Sequence, residues 1–251
     1  MKFRKDAVVD GKVASMRPPG HPEHRNLGGK SGALRAAIFG ANDGLVSNLA
    51  LIMGVAGAKA EPGVVVLAGI AGLLAGAFSM GAGEYISMRV QRDVFENLLA
   101  FERDELETMP EAEMKELVGI YQNRGIPENL AVATAQAVHT DLDLALETHA
   151  REELGLDPDD LGSPWGAATS SFATFSIGAL IPLLPFLFGS GTAAIVWASV
   201  LSGATLFAIG AAMTVFTGKN LVAQGLKMLA VGGAAAATTY LIGSLLGVNL
   251  A

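Results

Sequence analysis

The stretch GLLAGAFSMGAGEYISM (72–88), followed directly by RVQRDVFENLLAFERDELETM (89–109), decides the fold of this chain. The first part has the composition of a membrane helix, and the second has that of a helix in water. No proline lies between Pro62 and Pro110, so nothing in the sequence forces a break. We therefore predict one helix of about 45 residues, roughly 65–70 Å long, that crosses a bilayer and continues into the aqueous phase.

The overall composition is typical of a membrane protein. Of the 251 residues, 51% are hydrophobic and 16% are charged, whereas soluble domains have roughly 25% charged residues. Residues 89–160, the acidic insert, hold 18 of the 24 acidic residues and six Lys or Arg, a formal charge of −12. This charge favours cations and disfavours nucleic acid as partners. Because the chain has no cysteine, a bound metal must use oxygen, imidazole or thioether ligands.

Apolar runs of bilayer length predict an all-α membrane protein with five transmembrane helices. We place these helices at about 34–58, 64–88, 165–188, 192–217 and 221–247. The predicted domains are a disordered basic N-terminal tail (1–33), transmembrane helices one and two (34–88), the acidic insert (89–160) and transmembrane helices three to five (161–251).

The acidic insert is expected to contain three helices. The first continues transmembrane helix two, the second covers about 110–124, and the third runs from Pro127 to about Leu154. The distribution of Lys and Arg places the N-terminus and the insert in the cytosol. The short basic tail favours a prokaryotic plasma membrane, and a vacuolar membrane is the expectation for a eukaryotic source.

Three residues within the apolar spans could carry chemistry. Asp43 lies near the middle of the first span, where a carboxylate normally faces a cavity or a partner. Met80 and Glu84 lie one turn apart in the second span, on the face that also carries glycines. The structural alternatives are a neutral, hydrogen-bonded Asp43, a Met80 that only packs in the core, and a Glu84 that only marks the membrane boundary.

The acidic insert offers three pairs of candidate metal ligands, each on one helical face. The pairs are Glu102 with Glu105, Glu113 with Glu116, and His149 with Glu153. If the three helices pack together, these side chains can converge on a divalent cation. The alternative is a set of solvated surface carboxylates, but three pairs with few compensating bases favour convergence.

Several motifs resemble the vacuolar iron transporter family. They are GANDGLVSNLALIMGVAGA (40–58), SMGAGEYIS (79–87), the glutamate pairs at 102/105 and 113/116, EELGL (152–156), GALIPLLPF (178–186) and GLKMLAVGGAAAATTYLIGSLLG (225–247). The first two are fairly specific, whereas a Glu-x-x-Glu pair alone is not. The resemblance covers nearly all of the chain after residue 33.

The resemblance implies a five-span homodimer that moves ferrous iron, and often manganese or other divalent ions, out of the cytosol in exchange for protons. Asp43 and Met80 match positions that line the family's pathway. The family's cytoplasmic metal ligands match Glu102, Glu105, Glu113, Glu116 and Glu153. Position 149 departs from the family pattern, because His149 stands where a methionine is expected.

We therefore predict a membrane transporter and not an enzyme. Its predicted partners are divalent metal ions (Fe²⁺, and also Mn²⁺, Co²⁺ or Zn²⁺), protons, the lipid bilayer and a second copy of the chain; the metals are substrates, and no prosthetic group is expected. One alternative is a membrane-tethered di-iron carboxylate oxidase, but its Glu-x-x-His motif is missing from the sequence. The other is an iron-storage or sensor protein, for which five spans are more than an anchor needs.

Overall fold

The computed structural model describes residues 28–214 and 218–250 of the chain, with side chains described for 34–214 and 218–247. These residues form eight α-helices and no strand. The helices are α1 (Gly28–Gly57), α2 (Pro62–Thr108), α3 (Pro110–Asn123), α4 (Glu128–Val138), α5 (Leu142–Glu152), α6 (Pro164–Phe188), α7 (Gly191–Ala212) and α8 (Leu221–Leu250).

Five of these helices are long and apolar enough to cross a membrane, which confirms the predicted number. They are α1, α2, α6, α7 and α8, and the acidic insert consists of the end of α2 together with α3 to α5. Helix α1 is central to the membrane part, because it contacts α2, α6, α7 and α8. Its start at Gly28 lies six residues before the predicted span, and most of the predicted basic tail (residues 1–27) lies outside the described residues.

Helix α2 is the continuous rod that the sequence predicts. It has 47 residues, which corresponds to roughly 70 Å, more than twice the hydrocarbon thickness of a bilayer. Pro62 occupies its first turn, and Pro110 begins the next helix. Nine charged side chains lie in residues 89–108, so this part of α2 extends beyond the membrane into water.

Close helix contacts hold the membrane part together. Helices α1 and α6 share the most extensive interface, and Gly178 of α6 lies directly against the backbone of α1. A Cβ at that position would collide with the carbonyl oxygen of Ala41, so only glycine permits this approach. The apolar core beside this contact includes Leu49, Ile52 and Leu183.

The acidic insert differs from the prediction in one respect. The predicted third helix is two helices, α4 and α5, separated by a turn at residues 139–141. Asp141 caps α5, because its side chain accepts hydrogen bonds from the backbone N–H groups of Asp143 and Leu144. This capping is the physical reason for the break, since it offers the backbone an alternative to a continuous helix.

Candidate metal site and membrane cavity

Four side chains converge inside the acidic insert. Glu102 comes from α2, Glu113 from α3, His149 from α5 and Glu153 from the C-cap of α5, and each offers one ligand atom within 4.8 Å of the others. The Nδ1 atom of His149 lies 3.0 Å from Glu102 Oε1, 3.4 Å from Glu153 Oε2 and 3.8 Å from Glu113 Oε2. We call these four residues the acid cluster.

On each of the three helices, the candidate ligand lies one turn from a buried apolar residue. Glu102 precedes buried Leu106 by one turn, and Glu113 precedes buried Leu117 by one turn. His149 follows the buried Ala145 in the same way. Three of the four ligands are therefore held inside the packed insert: His149 is 0% exposed, Glu102 4% and Glu113 6%.

Burial makes the charged form of the carboxyl groups in the acid cluster less favourable. It raises the pKa of Glu102 to about 7, and the charges of Glu153 and Glu113 add to this effect. The pKa values of Glu113 and Glu153 are also raised, first by burial and then by neighbouring carboxylates. Burial lowers the pKa of His149, which favours the neutral imidazole that binds metals. A divalent cation would relieve the repulsion among the carboxylates.

The other two predicted ligands lie at the edge of the acid cluster. Glu105 is half-buried and Glu116 is exposed, and neither belongs to the group of four whose atoms converge. Their charges nevertheless raise the pKa of Glu102. Their position one turn from a cluster member explains why spacing on a helix could not separate them from the converging residues.

The sequence analysis missed a second histidine beside the cluster. The ring of His139 packs edge-on against that of His149, with centroids 5.3 Å apart. Its Nδ1 lies 2.9 Å from the carbonyl oxygen of Ala135 and donates to it, which leaves Nε2 as a buried acceptor without a partner among the described residues. No spacing signal could have revealed His139, because the α4–α5 turn separates the two histidines.

Raising the pH from about 4.5 to about 7 is expected to destabilise the metal-free insert. In this range the folded insert binds more protons than the unfolded chain, because the pKa of Glu102 is about 7 and those of Glu113 and Glu153 are also raised; the free energy of unfolding therefore falls as the pH rises. The lowered pKa of His149 acts in the opposite direction, but it is one group against three.

Hydrogen exchange of the full chain in detergent with chelator, corrected for intrinsic rates, tests this prediction. The protection factors of peptides from α3 to α5 should fall by roughly threefold or more between pH 5 and pH 7, and Mn²⁺ at pH 7 should restore them. Peptides from α7 serve as the internal control. Protection of the insert that is constant or rises over this range would contradict the prediction.

Within the membrane part, a cavity of about 280 Å³ lies between α1, α2 and α6. Its lining includes Asp43 of α1 and Met80 of α2, two of the three residues predicted for the transmembrane pathway; the third is Glu84. The other lining residues are Ser47, Asn48, Leu51, Gly72, Gly76, Ser79 and Phe175. A carboxylate, a thioether and several small polar groups thus share one space at membrane depth.

Glu84 lies outside this cavity. It is half-buried on α2, one turn beyond Met80, and is absent from the cavity lining. The structure therefore groups Asp43 with Met80 and leaves Glu84 nearer the membrane–water boundary.

The fold and these two sites define a multi-span membrane protein with a polar cavity at membrane depth and a buried acid cluster outside it. Comparison with known proteins agrees with this class. A family model described as "VIT family" matches residues 34–244, nearly the whole described chain. The chain belongs to the VIT family.

Individual relatives carry names that indicate transport. A vacuolar iron transporter of Acanthamoeba castellanii is 40% identical over 163 residues, which are 64% of this chain and 58% of that protein. Vacuolar iron transporter 1 of Oryza sativa subsp. japonica is 30% identical over 236 residues, 93% of this chain and 92% of that one. Vacuolar iron transporter 1 of Arabidopsis thaliana is 31% identical over 208 residues, which are 82% of this chain and 83% of that protein. These names confirm the predicted class, a transporter and not an enzyme.

Proposed function

We propose that this protein carries ferrous iron, and other divalent ions such as Mn²⁺, Co²⁺ and Zn²⁺, out of the cytosol in exchange for protons. The observation that carries the proposal is the pairing of two sites on α2: Glu102 in the acid cluster and Met80 in the membrane cavity. The names of the relatives, vacuolar iron transporters, support iron as the substrate.

The acid cluster would capture the ion. Three carboxylates and one imidazole form a ligand set that suits borderline divalent ions, and the insert's charge of −12 attracts cations to it. The imidazole of His149, in place of the methionine expected from the family resemblance, adds a ligand suited to Fe²⁺, Co²⁺ and Zn²⁺. Glu105 and Glu116 would strengthen the local negative potential.

The membrane cavity would carry the ion across. Among the described residues that line it, Asp43 supplies the only carboxylate and Met80 a soft thioether, so together they can hold a partly dehydrated divalent ion. After the ion has left, Asp43 would bind a proton and release it toward the cytosol, which returns the site to its ion-free, charged state. Lys and Arg concentrate in the tail and the insert, which supports a cytosolic N-terminus and a cytosolic insert.

Part of α2 supports assembly as a homodimer. Val94, Leu98 and Phe101 are 49%, 41% and 65% exposed, although they lie beyond the membrane. Their spacing of four and three residues places them on one face, as in a coiled coil, and an apolar stripe in water favours a partner. A second copy of α2 matches this stripe by symmetry. Native mass spectrometry should give twice the 25.8 kDa chain mass, and a monomer would argue against the dimer.

Flux into reconstituted vesicles tests the function. Vesicles that contain the protein should take up Fe²⁺ under anaerobic conditions, and Mn²⁺ in air, at rates well above those of protein-free vesicles. An acidic lumen should accelerate uptake about fivefold or more, because protons that leave the vesicle lumen drive the entry of metal ions. A protonophore should remove this acceleration. Flux equal to that of empty vesicles would overturn the proposed function, and flux independent of the pH gradient would overturn the exchange of protons.

A further inference from the structure

Asn48 is a buried polar residue in the wall of the membrane cavity. It lies on α1 and is 2% exposed. Its Nδ2 donates a hydrogen bond of 2.7 Å to the carbonyl oxygen of Ala179 on α6. Because a carbonyl accepts only, this bond fixes the orientation of the amide, with nitrogen toward α6 and Oδ1 turned away.

The oxygen of this amide has no partner of its own. Oδ1 is buried and accepts no hydrogen bond from any residue that the structure describes. A buried acceptor without a partner is costly, and such groups often have a ligand in the working protein. The unsatisfied atom is therefore the feature that requires an explanation.

The surroundings of Oδ1 place it at the cavity. A Cβ added to Gly72 of α2 would lie 2.8 Å from Oδ1 of Asn48 and 2.5 Å from Cδ2 of Leu51, so the amide oxygen and this leucine both face the space that the glycine leaves empty. All three residues line the cavity that contains Asp43 and Met80. Because Oδ1 itself is covered in this structure, a cation in the cavity would contact it only after α1 and α2 move slightly apart.

The geometry points to Asn48 as a third ligand of the transported cation, with its neutral amide oxygen replacing one water of hydration beside Asp43 and Met80. This inference rests on the proposed function and specifies the chemistry of its membrane site. It assigns to Asn48 the role of a ligand, and to Gly72 that of keeping the approach to the ligand open.

A neutral oxygen has a specific advantage at this depth. The ion must lose water to enter the cavity, and each lost water needs a replacement ligand. A second carboxylate would bind the ion more tightly but would add a charge that is costly in the membrane and would slow release. An amide supplies coordination without that charge, so the ion can both bind and leave.

The first test replaces Asn48 by leucine, which has the same branched shape and no polar atoms but is larger, so a matched control variant is needed. In vesicles, Asn48→Leu should raise the KM for Mn²⁺ about tenfold. The matched control is Asn42→Leu, because Asn42, also on α1, has a buried Oδ1 with no hydrogen-bond partner among the described residues but does not line the cavity. An unchanged KM in Asn48→Leu, or an equal rise in both variants, would overturn the inference.

The second test leaves Asn48 intact and fills the space in front of it. Gly72→Ala should raise the KM for Mn²⁺ as Asn48→Leu does, because the new methyl group meets Oδ1 of Asn48 as well as the side chain of Leu51, which also lines the cavity. Gly69→Ala is the control on the same helix: its Cβ would crowd Leu183 and Ile52, away from the cavity. If Gly69→Ala raises the KM as much as Gly72→Ala, helix packing explains the effect and the role of Gly72 is wrong.

Metal binding separates this inference from the proposed function. The full chain with Glu102, Glu113 and Glu153 replaced by glutamine lacks the acid cluster, so Co²⁺ binding in detergent then reports on the cavity. Asn48→Leu in this background should weaken Co²⁺ binding about tenfold. If it does so while the wild-type chain transports nothing, the ligand assignment stands and the proposed function fails. Unchanged Co²⁺ affinity would overturn the assignment, whatever the flux.

Discussion

Replacing Asp43 by asparagine is expected to abolish divalent-ion transport and to leave the fold intact. In the part of the chain that the structure describes, Asp43 provides the only carboxylate that lines the membrane cavity. Without it, the cavity loses both the charge that compensates the ion and the group that we propose to carry the proton. Mn²⁺ flux into vesicles should fall by about 100-fold or more, whereas the detergent-solubilised protein should elute from a sizing column as the wild type does.

Two matched variants show whether the carboxylate itself is responsible. Asp43→Glu keeps the charge and should retain measurable flux. Ser47→Ala removes a neighbouring cavity hydroxyl, which donates to the backbone oxygen of Asp43 at 2.6 Å, and should have a small effect. If Asp43→Asn transports at the wild-type rate, the assignment of the cavity as the pathway is wrong.

Replacing Glu102 and Glu113 by glutamine should remove the capture step and spare the crossing step. The two residues are buried members of the acid cluster, so their loss should weaken Mn²⁺ binding to the insert by about 100-fold. Transport should slow strongly at low Mn²⁺ but approach the wild-type rate at saturating Mn²⁺, because the cavity is unchanged. Calorimetry of the full chain and the concentration dependence of flux measure the two effects.

The control for this pair removes the same formal charge from the same two helices. Glu107→Gln with Glu111→Gln changes exposed carboxylates at the end of α2 and the start of α3. This control variant should bind Mn²⁺ nearly as the wild type does, apart from a small loss of general attraction. Equal losses in both double variants would mean that the net charge of the insert, and not a defined site, concentrates the ion.

The membrane helices could be predicted from length and composition because a bilayer imposes both. The continuity of α2 followed from the absence of proline over 47 residues. The break between α4 and α5 could not be predicted in the same way. Its cause is the local cap at Asp141, and the residues on either side are individually acceptable in a helix.

The candidate sites were only partly visible in the sequence. Helical spacing placed Glu102 and Glu113 on usable faces, but only the packing of α2, α3 and α5 shows which carboxylates meet His149. His139 and Asn48 carried no signal, because their importance depends on unpartnered atoms and on neighbours from other helices. A sequence pattern describes one helix at a time, whereas a site depends on several.

The length of α2 has a consequence for how an ion is recognised. Met80 and Glu102 lie 22 residues apart on one rod, a separation of roughly 33 Å along its axis. No side chain bridges such a distance, so under the proposed function an ion that leaves the insert would regain water before it reaches the ligands of the membrane cavity. It would then lose its water twice, to two different sets of ligand atoms. An unwanted ion that binds to one set would still have to bind to the other.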